Sequence, residues 1–115
     1  MNILFIHQSF PAQFRFLAPA LAGMAANRVV AMTPKAKRAY NWLGVQVIPY
    51  ESPRQISRGG HPWLADFDSK IMRGEACFLA ARNLKLQGFS PDLIIAHPGW
   101  GESMFLKEVW PRARL

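Results

Sequence analysis

Three histidines stand out as side chains able to exchange a proton near neutral pH: His7, His61 and His97. Two of them occupy matching positions. His7 ends the apolar run Asn2-Ile3-Leu4-Phe5-Ile6, and His97 ends Asp92-Leu93-Ile94-Ile95-Ala96. The segment His97-Pro98-Gly99-Trp100-Gly101-Glu102-Ser103 adds two glycines, a large aromatic and a carboxylate, just where a following helix would offer free N–H groups to an anion. Glu102 fits equally well as a first-turn stabiliser of that helix. For His7 the plain alternative is that His7-Gln8-Ser9 hydrogen-bonds the loop backbone and holds a turn.

Other chemistries lack their residues. The histidines have neither the i, i+4 spacing nor the companion cysteines and carboxylates of a local metal site, so no metal is expected. There is no Gly-x-Ser-x-Gly elbow, and the lone Cys77 sits in a helical pattern as a small core residue. The turn from His7 to Gln13 contains no glycine, which removes the close backbone approach that a dinucleotide pyrophosphate needs and disfavours a nicotinamide-dependent oxidoreductase.

The elements that position these residues follow from hydrophobic pattern. Residues 2–7, 28–33, 45–49 and 92–97 are short apolar or β-branched runs of the kind found in strands buried on both faces, and 113–115 looks like the start of another. Between them, Pro11 and the spacing of Phe14, Leu17, Ala18, Leu21 and Met24 predict a helix over about 11–26, and a short one fits 36–43. A long helix is expected over 62–87. Its apolar positions are Trp63, Phe67, Ile71, Phe78, Leu79 and Leu86, Gly74 weakens its middle by roughly 1 kcal/mol, and Gly88 then Pro91 stop it. A last helix is expected over 101–110. Alternating strands and helices make an α/β, Rossmann-like three-layer parallel sheet with helices on both faces, cut short after four or five strands. With strand order 3-2-1-4-5, His7 and His97 would face one crevice at the carboxyl edge, where such sheets bind ligands.

Bulk properties bound the setting. The 115 residues form one domain, half of them apolar, and the single cysteine favours a reducing compartment. No segment resembles a signal peptide or a membrane span, so a cytoplasmic location is expected. Fourteen Lys and Arg against seven Asp and Glu give +7. Six of the basic residues, Arg28, Lys35, Lys37, Arg38, Arg54 and Arg58, share one segment with Glu51 as its only acid. That segment is either a solvated face or a contact, centred on Lys35, Lys37, Arg38, Arg54 and Arg58, for an anionic acceptor or the anionic inner face of the membrane.

The runs Met1–Phe14, His61-Pro62-Trp63-Leu64 and Pro91–Glu102 resemble the N-terminal region of bacterial family 4 glycosyltransferases over nearly the whole chain. The resemblance implies a GT-B enzyme with two Rossmann-like domains, of which residues 1–115 are the acceptor-side N-terminal one, incomplete and without the donor domain. It further implies a retaining transfer from a nucleotide-sugar to a saccharide or lipid-linked acceptor, without cofactor or metal, and a chain inactive by itself. His97 then becomes the candidate catalytic group, while His7, Gln8, Phe10, Gln13, Gly99, Trp100, Gly101 and Glu102 are expected to line the cleft. Two rivals remain: a non-catalytic Rossmann-like module for a sugar or phosphate, and, more weakly, nucleic-acid binding through Lys35-Ala36-Lys37-Arg38, which lacks interleaved aromatics. An open sheet edge would also permit a homodimer.

Overall fold

The computed structural model describes residues 1–55 and 59–115. Its centre is β1 (Asn2–Ile6), whose residues Ile3 to Ile6 are at most 1% exposed. A run that apolar can be buried only by a strand with neighbours on both sides and cover on both faces. The neighbours are β2 (Arg28–Thr33) and β5 (Leu93–Ala96), both parallel to β1, with Ile6 opposite Met32 on one side and Ala96 on the other. Next to β2 lies β4 (Val45–Pro49), also parallel, and at the edge β3 (Tyr40–Trp42), antiparallel to β4. The sheet order is β3-β4-β2-β1-β5, and Arg114 bridges to Leu93 in parallel beyond β5. The expected order 3-2-1-4-5 is therefore present, with one extra antiparallel strand.

Successive strand residues point to opposite faces and build two cores. Leu4, Ile6, Val30, Met32 and Ile94 face the long helix α2, described below; Ile3, Phe5, Val29, Ala31, Val45 and Val47 face Phe10, Phe14 and Ala18 on the other side. Helices thus cover both faces, as the α/β pattern requires.

Three expected helices differ. The run 11–26 is a 3₁₀ turn (Ala12–Phe14) followed by the short α1 (Leu17–Ala22). Pro19 explains the break: it has no N–H to donate and its ring would meet the carbonyl of Arg15, so the helix can begin only where Pro19 falls in the first turn. The short helix at 36–43 is absent. Residues 40–42 instead pair back onto 45–47 through the two-residue turn Leu43-Gly44, both at positive φ, with Gly44 N–H donating to Asn41 Oδ1 at 3.2 Å. The last helix shrinks to α3 (Leu106–Val109), with turns over 102–105.

The remaining helix, α2 (Pro62–Leu86), has the predicted ends. Pro62 is at its first position, and Gly88 at φ +90 closes it with Phe89 N–H donating to Leu84 O and Gly88 N–H to Lys85 O. Its buried face is another matter. Gly74, Ala76, Cys77, Ala81 and Leu84 are buried, whereas Trp63, Phe67, Leu79 and Leu86, expected as core positions, are exposed.

Gly74 is small for a reason. A Cβ there would lie 2.8 Å from the Gly101 carbonyl oxygen and 3.0 Å from the Phe105 ring, and a Cβ on Gly101, at φ +100, would run into the Lys70 carbonyl. We predict that Gly74→Ala, despite a helix-propensity gain of about 1 kcal/mol, lowers stability by roughly 1–3 kcal/mol through overpacking. Gly101→Ala should cost at least as much, since it adds a disfavoured φ to the clash. Urea midpoints at unchanged m-value measure both; a stabilised Gly74→Ala would contradict the packing described.

Candidate functional site

The chain runs β1 to β2 to β4 in one direction and then returns to place β5 on the opposite side of β1, so the topological switch lies between β1 and β5. His7 and His97 are the residues immediately beyond these two strands. Backbone register brings them together: His97 N–H donates to Ile6 O and His7 N–H to Met32 O, each at 3.3 Å. Their ring centroids are 5.3 Å apart at 83°. Phe14 stands edge-on to His7 at 5.8 Å, and Trp100 edge-on to His97 at 5.6 Å, so four rings follow one another along the edge, each nearly perpendicular to the next.

The His7 turn is tied down from both sides. Ser9 N–H donates to His7 Nδ1 at 2.9 Å, Phe10 N–H to His7 O at 3.3 Å, and the buried Thr33 hydroxyl to Gln8 O at 3.1 Å. His7 therefore does hold its turn, using one ring nitrogen. Burial, and next to it His97, press its pKa below the ordinary histidine value, against an upward pull from Glu102.

The His97 turn is held by α2. Arg73 Nη1 donates to Trp100 O at 2.9 Å, Nη2 donates to Ser69 Oγ at 2.8 Å, and the guanidinium lies 6.0 Å from the Trp100 ring centroid. Beneath the turn Glu102 is 3% exposed, its Oε1 accepting from Tyr50 O–H at 3.1 Å. Glu102 Oε2 and His97 Nδ1 are both buried without a hydrogen-bond partner among the described residues. Burial pushes the Tyr50 phenol and the adjacent Cys77 thiol upward, with Glu102 adding to both, so both stay protonated at neutral pH. A cavity of about 220 Å³ opens beside this cluster, lined by Gln8, Pro34, Tyr50, Glu51 and Ser52, which follow β1, β2 and β4, and by Arg73 and Ala76 of α2. A larger cavity of about 730 Å³ lies at the opposite, amino-terminal edge around Met1, Asp92 and Arg112. The smaller one is at the end where parallel sheets bind ligands.

Several expected residues fall elsewhere. Phe10 is 4% exposed between Phe5 and Trp42, a core residue and no part of a cleft wall. Gln13 is exposed in the 3₁₀ turn. Glu102 opens no helix, because α3 starts four residues later; its carboxylate turns inward to Tyr50. The anion-binding helix start expected after His97 is thus replaced by a turn with Gly99 and Gly101 at positive φ. His61 caps α2, its Nδ1 accepting from Trp63 N–H at 3.2 Å. Lys35, Lys37 and Arg38 are exposed in the loop that leaves β2 at the same carboxyl edge. Arg54 pairs with Glu75 at 2.9 Å, and Arg58 lies outside the described residues. Sequence reasoning missed Tyr50 and Arg73. Tyr50 carried one usable signal, its place directly after a strand run.

A Rossmann-like sheet whose two histidines meet at the switch point, with a cavity opening nearby past β1, β2 and β4, defines the class as a doubly wound α/β domain. Residues 25–115 match the glycosyl transferase family 4 group, and the chain belongs to that family as an N-terminal glycosyltransferase domain. The match starts after β1 and its His7 turn. No curated protein and no solved structure matches the chain. No helix among the described residues is long and apolar enough to cross a membrane.

Two predictions follow from this geometry. Tyr50→Phe removes the one hydrogen bond that the buried Glu102 carboxylate accepts from a described side chain and should destabilise by about 1–3 kcal/mol in urea unfolding; an unchanged midpoint would mean the bond is not formed. For His7, the unfolded chain takes up a proton near pH 6.5 and the folded chain only at lower pH, so the contribution is fully present above about 6.5 and is lost as pH falls below it. The urea midpoint should accordingly drop between about pH 7.5 and pH 5.5, and drop less in His7→Asn.

Proposed function

We propose that this chain is the acceptor-side half of an enzyme that transfers a sugar from a nucleotide-sugar to a saccharide or lipid-linked acceptor. The observation that carries it is the His7–His97 pair at the switch point of a chain belonging to a glycosyltransferase family. In the transfer, the bond from the anomeric carbon to the nucleotide phosphate breaks, a bond to the acceptor oxygen forms, and the acceptor hydroxyl loses its proton. In this reading His97 hydrogen-bonds the sugar or takes part in that proton movement, and Trp100, 43% exposed beside it, offers its ring to a pyranose. In the GT-B arrangement that we infer for the complete enzyme, the donor binds mainly on a second domain, the configuration of the sugar is retained and no metal takes part; residues 1–115 alone then carry no transferase activity. Lys35, Lys37 and Arg38 at the same edge suit an anionic acceptor or an anionic lipid surface at the inner face of the membrane.

In the complete enzyme His97→Ala should lower turnover by about 10²–10⁴-fold, as removal of a group acting on a proton in transit does. Turnover within about a factor of two of wild type would remove His97 from that role.

A further inference from the structure

His7 has two ring nitrogens, and the fold uses only one. Ser9 N–H points at Nδ1 from 2.9 Å, which requires a lone pair there, so the neutral ring carries its proton on Nε2. A second proton on Nδ1 would break this bond and set two N–H groups against each other. His97, 5.3 Å away across the edge-on ring contact, adds like-charge repulsion to any such step, and Phe14 covers the other side at 5.8 Å. The one charged group that favours protonation is Glu102, whose Oε1 is already engaged by Tyr50. His7 Nε2 receives no hydrogen-bond partner from any described residue, and the side chain is only half-buried, at the end of β1 and next to Gln8, which lines the 220 Å³ cavity.

We propose that His7 is a fixed hydrogen-bond donor of the crevice, its Nε2–H offered to an oxygen of the bound saccharide, while proton exchange at this edge is left to His97. The two histidines then divide the work by tautomer: the partner of Ser9 is locked and orients, whereas His97, whose Nδ1 has no partner among the described residues, is not locked in this way. The inference rests on the saccharide reading of the crevice, and its tautomer half can be tested without any ligand.

Long-range ¹H–¹⁵N correlation spectra of the 115-residue chain with ¹⁵N-histidine should show His7 Nδ1 unprotonated and Nε2 protonated at pH 8; the opposite tautomer overturns the proposal. Glucose, a neutral probe, is then titrated while His7, His97 and the Trp100 indole are followed. His7→Asn leaves a carbonyl oxygen where Nδ1 was, keeping the Ser9 contact but deleting the donor, whereas His7→Gln places an amide N–H near Nε2. Glucose binding should weaken about tenfold in His7→Asn, the equivalent of one hydrogen bond, and less than about threefold in His7→Gln. Equal affinity in His7→Asn and wild type, or equal losses in the two variants, overturns the donor role. If glucose shifts His97 and Trp100 but not His7, this inference alone fails; if it shifts none of the three, the saccharide reading fails with it.

Discussion

Backbone meets backbone where α2 crosses the turn after β5. The Gly101 carbonyl fits against Gly74 with no room for a Cβ, and Gly101 itself lies under the carbonyl of Lys70. Everything distinctive at the carboxyl edge hangs on that contact. It sets the depth at which the turn sits, and so places the Glu102 carboxylate beneath Tyr50 and brings Trp100 O within 2.9 Å of Arg73. Two bulkier residues would lift the turn off the helix by roughly the width of a methyl group, which in a close-packed interior has no cheap remedy. The helix gives up roughly 1 kcal/mol of propensity at Gly74 to keep this approach.

The contact also draws polar groups out of bulk solvent. A buried carboxylate with one oxygen accepting from Tyr50 and the other without a partner, beside a histidine nitrogen in the same state, is unfavourable for folding; each unsatisfied group costs on the order of 1–3 kcal/mol. A core built only for stability would place apolar side chains here, as it does one layer lower with Ile6, Met32 and Ile94. Two of the three buried polar side-chain atoms without a partner among the described residues, Glu102 Oε2 and His97 Nδ1, lie at the carboxyl edge; the third, Trp110 Nε1, belongs to a residue that lines the cavity at the amino-terminal edge.

Much of this was legible in residue order. The strand runs were clear because burial on both faces demands unbroken apolar stretches, and the polar residue that ends each run marks the sheet edge; His7 and His97 were found that way. The ends of α2 were equally clear, since Pro62 and Gly88 have conformational requirements that few other positions satisfy. What failed was the interpretation of apolar spacing alone. Phe14 to Met24 keep helical spacing, but Pro19 decides where a helix can start. Trp63, Phe67 and Ile71 keep it too, yet α2 buries a face of glycine, alanine and cysteine, because a helix that touches a loop backbone needs small residues more than large ones. Tyr50 and Glu102 lie 52 residues apart, and Arg73 and Trp100 27 apart; no local pattern announces pairs made only by the crossing of a helix and a loop.

The two histidines show how far residue type carries. Both follow buried strands at the switch point, and both have the same intrinsic chemistry, so from order alone they were equivalent. Their turns make them different. The glycine-free turn after β1 bends back so that Ser9 N–H closes on His7 Nδ1, whereas the turn after β5, with glycines at positive φ on either side of Trp100, swings away and leaves His97 Nδ1 without such a closure. The absence of glycine after β1 counts against a phosphate cradle, and the turn that stands there closes Ser9 N–H on His7 Nδ1 and so fixes one tautomer. A ring held in this way is fixed in one tautomer, while the ring 5.3 Å away has no such closure on its Nδ1. The structural difference between the two imidazoles therefore originates in the backbone of the two turns.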